Sequence, residues 1–346
     1  ERLQQRDFSI LQQARFSPAL LDYSQRGFFA PFAEKIQAGL SISDCRGIPF
    51  YSFRYPQQFY PSFAAIPPLV VDSLLFIENR QLLDSEQPLA NPAVDWPRFT
   101  MAALSQVGKA LDVQDQSAGG STLATQLEKY RHSPDGLTQS PREKLRQMVS
   151  ASVRAYQAGP ETLTVRQNIV RDYLNSVPLS AAPGHGEVHG LADGLRIWFG
   201  ADFAEVNRLL DPARSPAASN AERGLALRQV LALMIAQRRP SFYLAQGRQE
   251  LAALVDSHIR LLAGGGLIDT PLRDAALARR LDYRDWELQP TVQVVDSDKG
   301  ISVARTRLSG LLNMPLYDLD RLDLAASTTL HNDLQQAVTH YLQQLA

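Results

Sequence analysis

Gly119-Gly120-Ser121-Thr122-Leu123-Ala124-Thr125-Gln126-Leu127-Glu128-Lys129 is the most specific signal in the chain. Two adjacent glycines leave bare backbone in front of a run with helical texture, and so room for a ligand that a Cβ would obstruct. Ser121 is placed to cap the helix. The first N–H groups of that helix, at the positive end of its dipole, suit a phosphate oxygen. Thr122, Gln126 and Lys129 follow at intervals of four and three, which sets them on one polar stripe while Leu123, Leu127 and Tyr130 face elsewhere. One helix thereby separates polar reach from core packing.

Upstream, Phe76-Ile77-Glu78-Asn79-Arg80 ends an apolar run. Val70, Leu74 and Ile77 mark a buried face and put Glu78 where the helix leaves the core, a partly desolvated position that suits a proton acceptor. Downstream, Leu145, Met148, Val149 and Tyr156 form an apolar face that leaves Glu143, Gln147 and Arg154 on the opposite polar stripe. Arg142, Lys144 and Arg146 add local positive charge suited to a diphosphate, although solvated surface charges are the plainer alternative. His185-Gly186-Glu187-Val188-His189 has two histidines four apart, but the glutamate is not adjacent to the first histidine and the glycines argue for a loop rather than a zinc helix.

Around these stretches, residues 69–281 recur apolar at helical spacing, broken by turn-rich pieces near 87–97, 133–141, 178–190 and 211–221. Residues 1–65 join a helix-like start to the alternating Tyr51-Ser52-Phe53-Arg54-Tyr55, which reads as a strand. Thr291-Val292-Gln293-Val294-Val295 and Gly300-Ile301-Ser302-Val303-Ala304 also read as strands, and residues 332–345 as a helix. Three segments result: an N-terminal one (1–65), a helical domain (66–285) and a linker (286–346).

In 346 residues, 35 Lys plus Arg face 36 Asp plus Glu, so charge gives no reason to expect a nucleic-acid partner. A lone Cys45 excludes an intramolecular disulfide and a multi-cysteine zinc site without deciding the compartment. The longest apolar run, residues 66–77, is too short to cross the roughly 30 Å hydrocarbon core. An anchor is expected upstream of Glu1.

Taken in order, these blocks resemble the peptidoglycan glycosyltransferase family that forms the N-terminal catalytic half of bifunctional penicillin-binding proteins. The Phe76–Arg80 block is similar to the family's acidic pair, with Asn79 in place of the second acid. The glycine-glycine-serine-threonine start, with Thr125 in place of a glutamine, is its most specific match. Glu143, Lys144 and Gln147 align with a helix on which the family carries a second glutamate, here Gln147. Ile169-Val170-Arg171-Asp172-Tyr173-Leu174-Asn175 resembles a tyrosine-leucine-asparagine helix end, and Trp198-Phe199-Gly200 a further family block. Ser327 to Gln336 resembles the linker toward a C-terminal domain.

The resemblance implies a mainly α, two-lobed lysozyme-like domain with small β elements near both ends. It implies a lipid-linked disaccharide and a growing glycan strand as substrates, the membrane surface and other cell-wall synthesis proteins as partners, and a place at the periplasmic face of a bacterial cytoplasmic membrane. Glu78 is then the catalytic base, with Gln147 at the second catalytic position. Ser121, Thr122, Gln126, Lys129, Arg142, Lys144, Arg146, Tyr173, Asn175 and Glu187 are the substrate-binding candidates, Glu187 as a stand-in for the missing acid. A divalent cation could assist, but no metal ligand set is encoded. The replacements at Asn79, Thr125 and Gln147 keep two other readings open: a glycan- or lipid-binding pseudoenzyme, and a lysozyme-like glycan-cleaving enzyme.

Overall fold

The computed structural model describes residues 16–32, 36–94, 121–133, 138, 140–183, 185–285 and 299–344. Gly119, Gly120 and the expected strand Thr291 to Val295 lie outside the described residues. In chain order the elements begin with α1 (Pro18–Gln25), β1 (Ala38–Ser43), β2 (Pro49–Tyr55) and α2 (Pro68–Glu78). Next come α3 (Leu123–His132), α4 (Pro141–Ala155), α5 (Leu163–Ser176), β3 (Pro178–Ala182) and β4 (Gly186–His189). Helices α6 (Leu191–Phe199), α7 (Phe203–Leu210), α8 (Asn220–Ala236), α9 (Pro240–Tyr243), α10 (Arg248–Gly264) and α11 (Thr270–Leu277) follow. The last are α12 (Lys299–Leu312), α13 (Leu316–Leu319), β5 (Leu324–Ser327) and α14 (Asn332–Gln344). The described chain is thus mainly helical with small sheets, as expected.

Two compact units divide it: Glu1–Ala33 with Leu89–Thr162, and Glu34–Pro88 with Leu163–Ala346. In the first unit, α3 packs on α4, and the segment after α1 lies along them. Arg146 donates to the Gly27 carbonyl and Arg154 to that of Phe32, while the Ser150 hydroxyl accepts from the Phe29 N–H at 3.0 Å. The buried face of α4 is Gln147, Ser150, Ala151 and Ala155. This corrects the sequence reading, because Leu145 is 57% exposed and the expected polar stripe points inward. Small residues let neighbouring segments approach closely, and the buried polar groups find partners there: Gln147 the hydroxyls of Ser133 and Thr138, Ser150 the Phe29 N–H and the Tyr23 hydroxyl.

In the second unit, α8 is the central helix, started by a reciprocal Ser219–Glu222 capping box and buried along almost its whole length. Helices α2, α6, α7, α10 and α11 pack around it. The three-stranded sheet has the order β2-β1-β5, with β1 antiparallel to β2 and parallel to β5. Leu40, Ile42 and Tyr51 from the sheet meet Ile301 and Leu319 in its core.

Two expectations are corrected in this unit. Gly300 to Ala304 lies in α12, not in a strand: Ile301, Ala304 and Leu308 reach the core at helical intervals. Residues 178–190, expected as a turn-rich loop, hold the β3–β4 hairpin, irregular where Ser180 takes a positive φ of 66°. The strand over Tyr51–Tyr55 and the closing helix over 332–345 are found as expected, in β2 and α14; β5 precedes that helix at Leu324–Ser327.

Candidate active site

Helix α2 begins with Pro68, whose missing N–H costs nothing in a first turn, and buries Leu69, Val70, Val71, Ser73 and Leu74. It stops at Glu78 because Asn79 turns extended, with φ −160° and ψ 91°. The Glu78 side chain is 12% exposed and lies against the end of α8. The Gln237 amide donates to its Oε1 at 3.2 Å, and the Arg238 guanidinium stands 3.9 Å away. Arg238 is half exposed, so this ion pair contributes at most about 1 kcal/mol. A carboxylate so held is oriented by an amide.

Buried polar contacts fix the segments that lead into and out of α2. Asp193, 1% exposed, accepts from the Gln57 and Gln58 N–H groups at 2.7 and 3.2 Å. Asn175 accepts from the Tyr60 N–H at 2.8 Å and donates to the Tyr60 carbonyl at 2.9 Å. The Tyr60 hydroxyl donates to Asn207 at 2.8 Å, and full burial pushes its pKa well up. On the exit side the buried Arg166 guanidinium donates to the carbonyls of Leu82, Asp84 and Gln87 at 2.9, 3.0 and 2.7 Å. Sequence reasoning singled out neither Arg166 nor Gln237; an arginine inside an amphipathic helix carries no mark of what it will meet.

The remaining candidates of the second unit have structural surroundings. Tyr173 is 1% exposed, and Asn175 is the Tyr60 clamp just described. Gly190, with φ 79°, comes so near this clamp that a Cβ would stand 2.5 Å from the Asn175 carbonyl oxygen. Glu187 is exposed on β4, 3.2 Å from the His189 ring and 3.1 Å from Arg321. Burial lowers the pKa of nearby His185, helped by the positive charge of Arg196 and Arg284.

In the first unit the cap is corrected: Ser121 is exposed, and Thr122 caps α3 in a reciprocal box with Thr125. Thr125 N–H donates to the Thr122 hydroxyl at 3.3 Å, and Thr122 N–H to the Thr125 hydroxyl at 2.9 Å. Thr122 is therefore buried and engaged, and it leaves the polar stripe to Gln126 and Lys129. Gln126 accepts from the Tyr130 hydroxyl at 3.2 Å. Partial burial lowers the pKa of Lys129.

Arg142 is exposed and Lys144 half-buried at the start of α4, whereas Arg146 is committed to Gly27 and lies 4.9 Å from the centre of the Phe29 ring. Gln147, 3% exposed, donates to the Ser133 and Thr138 hydroxyls at 3.0 and 3.1 Å. Glu128, passed over in the sequence, is 1% exposed beside Arg154 at 2.9 Å, Arg131 at 3.4 Å and His132 at 3.5 Å. Its intervals of three and four to Arg131 and His132 were the available signal. Among the described residues, no three His, Cys, Asp or Glu side chains gather as metal ligands would.

Residues 46–259, well over half of the chain, match the family model described as Transglycosylase. No curated protein matches the chain.

Proposed function

The chain belongs to the transglycosylase family, and on that premise we propose that it polymerises a lipid-linked disaccharide into glycan strands with Glu78 as general base. Membership makes it a glycosyltransferase-type enzyme of peptidoglycan that binds a glycan or lipid-linked substrate. In the proposed step Glu78 takes the proton of an acceptor sugar 4-hydroxyl. That oxygen bonds to the anomeric carbon of the donor, and the bond to the lipid diphosphate breaks with its electron pair. The configuration inverts, and the leaving diphosphate carries the new negative charge. The sequence reading gives that charge to Gln126, Lys129 and the cluster of Arg142, Lys144 and Arg146, since charge-assisted donors stabilise a developing anion most; of these Arg146 is committed to the Gly27 carbonyl.

The observation that carries this reading is the Glu78 carboxylate at the end of α2, mostly buried and oriented by Gln237. The reading puts the protein at the outer face of a bacterial cytoplasmic membrane, where other cell-wall synthesis proteins work; among the described residues no helix is long and apolar enough to cross that membrane. The test incubates the protein with lipid-linked disaccharide and looks for polymer. Glu78→Gln keeps an oxygen for the Gln237 amide, so the fold should stand while turnover falls at least about 100-fold. Near-normal polymerisation by this variant removes the assignment. A second reading, an impaired binding protein, is favoured by the buried, fully committed amide of Gln147. Substrate binding without any polymer would select it.

A further inference from the structure

On the face of β2 that begins in the sheet core, Tyr51 is 6% exposed, and the two-residue period carries Phe53 and Tyr55 outward from it, both half-buried. They line a shallow groove that His185, Gly186 and Glu187 close on one side and the chain after α13, with Asp320 and Arg321, on the other. The Phe53 and Tyr55 ring centroids stand 5.8 Å apart with planes tilted by 41°, and beside the groove the His189 ring lies 5.5 Å from that of Tyr55, tilted by 31°. The Phe53–Tyr55 spacing is comparable with the one between neighbouring pyranose rings in a β-linked chain. The charges of the groove are paired: Glu187 with Arg321 at 3.1 Å, and Asp320 with Arg305 at 2.9 Å.

We propose that this groove binds a neutral glycan strand, the pyranose faces lying on the Phe53 and Tyr55 rings and the hydroxyls meeting Glu187 and Arg321. A phosphate or an acidic peptide needs uncompensated positive charge, which the paired groups do not offer. A polyhydroxylated chain needs none. Its C–H faces cover aromatic surface, and its hydroxyls use the lone pairs and N–H groups that a carboxylate–guanidinium pair still presents at its edges. Both members of the Glu187–Arg321 pair keep 40% or more of their side chains exposed, so a ligand can reach them. The identification of the ligand rests on the polymerase reading above, since a growing strand is its product; the groove gives that strand a place to lie apart from Glu78's chemistry.

The probe is chitotetraose, a lipid-free β-1,4 tetramer of N-acetylglucosamine, titrated calorimetrically into the full chain, with thermal melting and the polymer assay run alongside. Tyr55→Ala should weaken binding about tenfold, the order of one lost aromatic platform. Tyr55→Phe keeps the ring and should bind as the natural protein does, and Arg321→Gln should weaken binding without lowering the melting temperature. Should Tyr55→Ala fail to fold, the Tyr55→Phe and Arg321→Gln pair decides. No binding of the tetramer, unchanged affinity in Tyr55→Ala or Arg321→Gln, or displacement of the tetramer by inorganic phosphate overturns the proposal. Polymer formation by a protein that does not bind the tetramer refutes the groove and leaves the polymerase reading standing; tetramer binding without polymer does the reverse.

Discussion

Asn175→Ala removes a side chain that closes two hydrogen bonds on the backbone of a single residue, one from the Tyr60 N–H at 2.8 Å and one to the Tyr60 carbonyl at 2.9 Å. Tyr60 is 1% exposed and Asn175 4%, so neither freed backbone group can turn to water. An unsatisfied buried group costs about 1–3 kcal/mol, and two sharing one side chain do not add fully, which gives roughly 3 kcal/mol in all. For a unit of this size that loss lowers the melting temperature by roughly 6–12 °C. Circular dichroism against temperature, with urea unfolding as a second route, reads it directly. Polymer formation measured below the new melting temperature should fall only as far as the folded fraction does. If the variant melts like the natural protein yet makes no polymer, Asn175 acts on substrate, and the clamp argument is wrong.

Gln147→Glu should lower stability by about 1–3 kcal/mol in urea unfolding, because the amide's donations to Ser133 and Thr138 are lost. It should not raise polymer formation; a sharp rise would mark the natural protein as an impaired enzyme. Gly190→Ala should destabilise by about 1–3 kcal/mol through its positive φ and the approach to the Asn175 carbonyl, read as a fall in melting temperature, and an unchanged melting curve would contradict it. For His185, burial holds the folded pKa below 6.5, so the unfolded chain binds more protons between the two values. Stability should therefore rise with pH up to about that value and fall as pH drops below it. His185→Gln should flatten that part of the curve, and an unflattened slope assigns it to other groups.

Local pattern alone revealed α2 with its terminal acid, the α3 block, β2 and the closing helix, because each is written in the period of its own residues. The same local information led to the family, whose blocks survive as short runs in fixed order. It failed where two local solutions compete. Ser121 and Thr122 are both capping residues, and which one caps depends on where the chain turns from extended to helical. Five alternating residues at Gly300 fit a strand until Leu308, two helical turns after Ile301, is counted with Ile301 and Ala304. On α4 the sequence defined two stripes but not which one is buried, since the small Ser150, Ala151 and Ala155 admit neighbouring backbone while Leu145 stays in water.

What long-range neighbours provide is visible in the folded chain alone. Folding places the Gln237 amide on Glu78, three carbonyls around Arg166, and β5 from the end of the chain beside β1 from its beginning. A buried polar group is set by partners remote in sequence, and no periodicity records them.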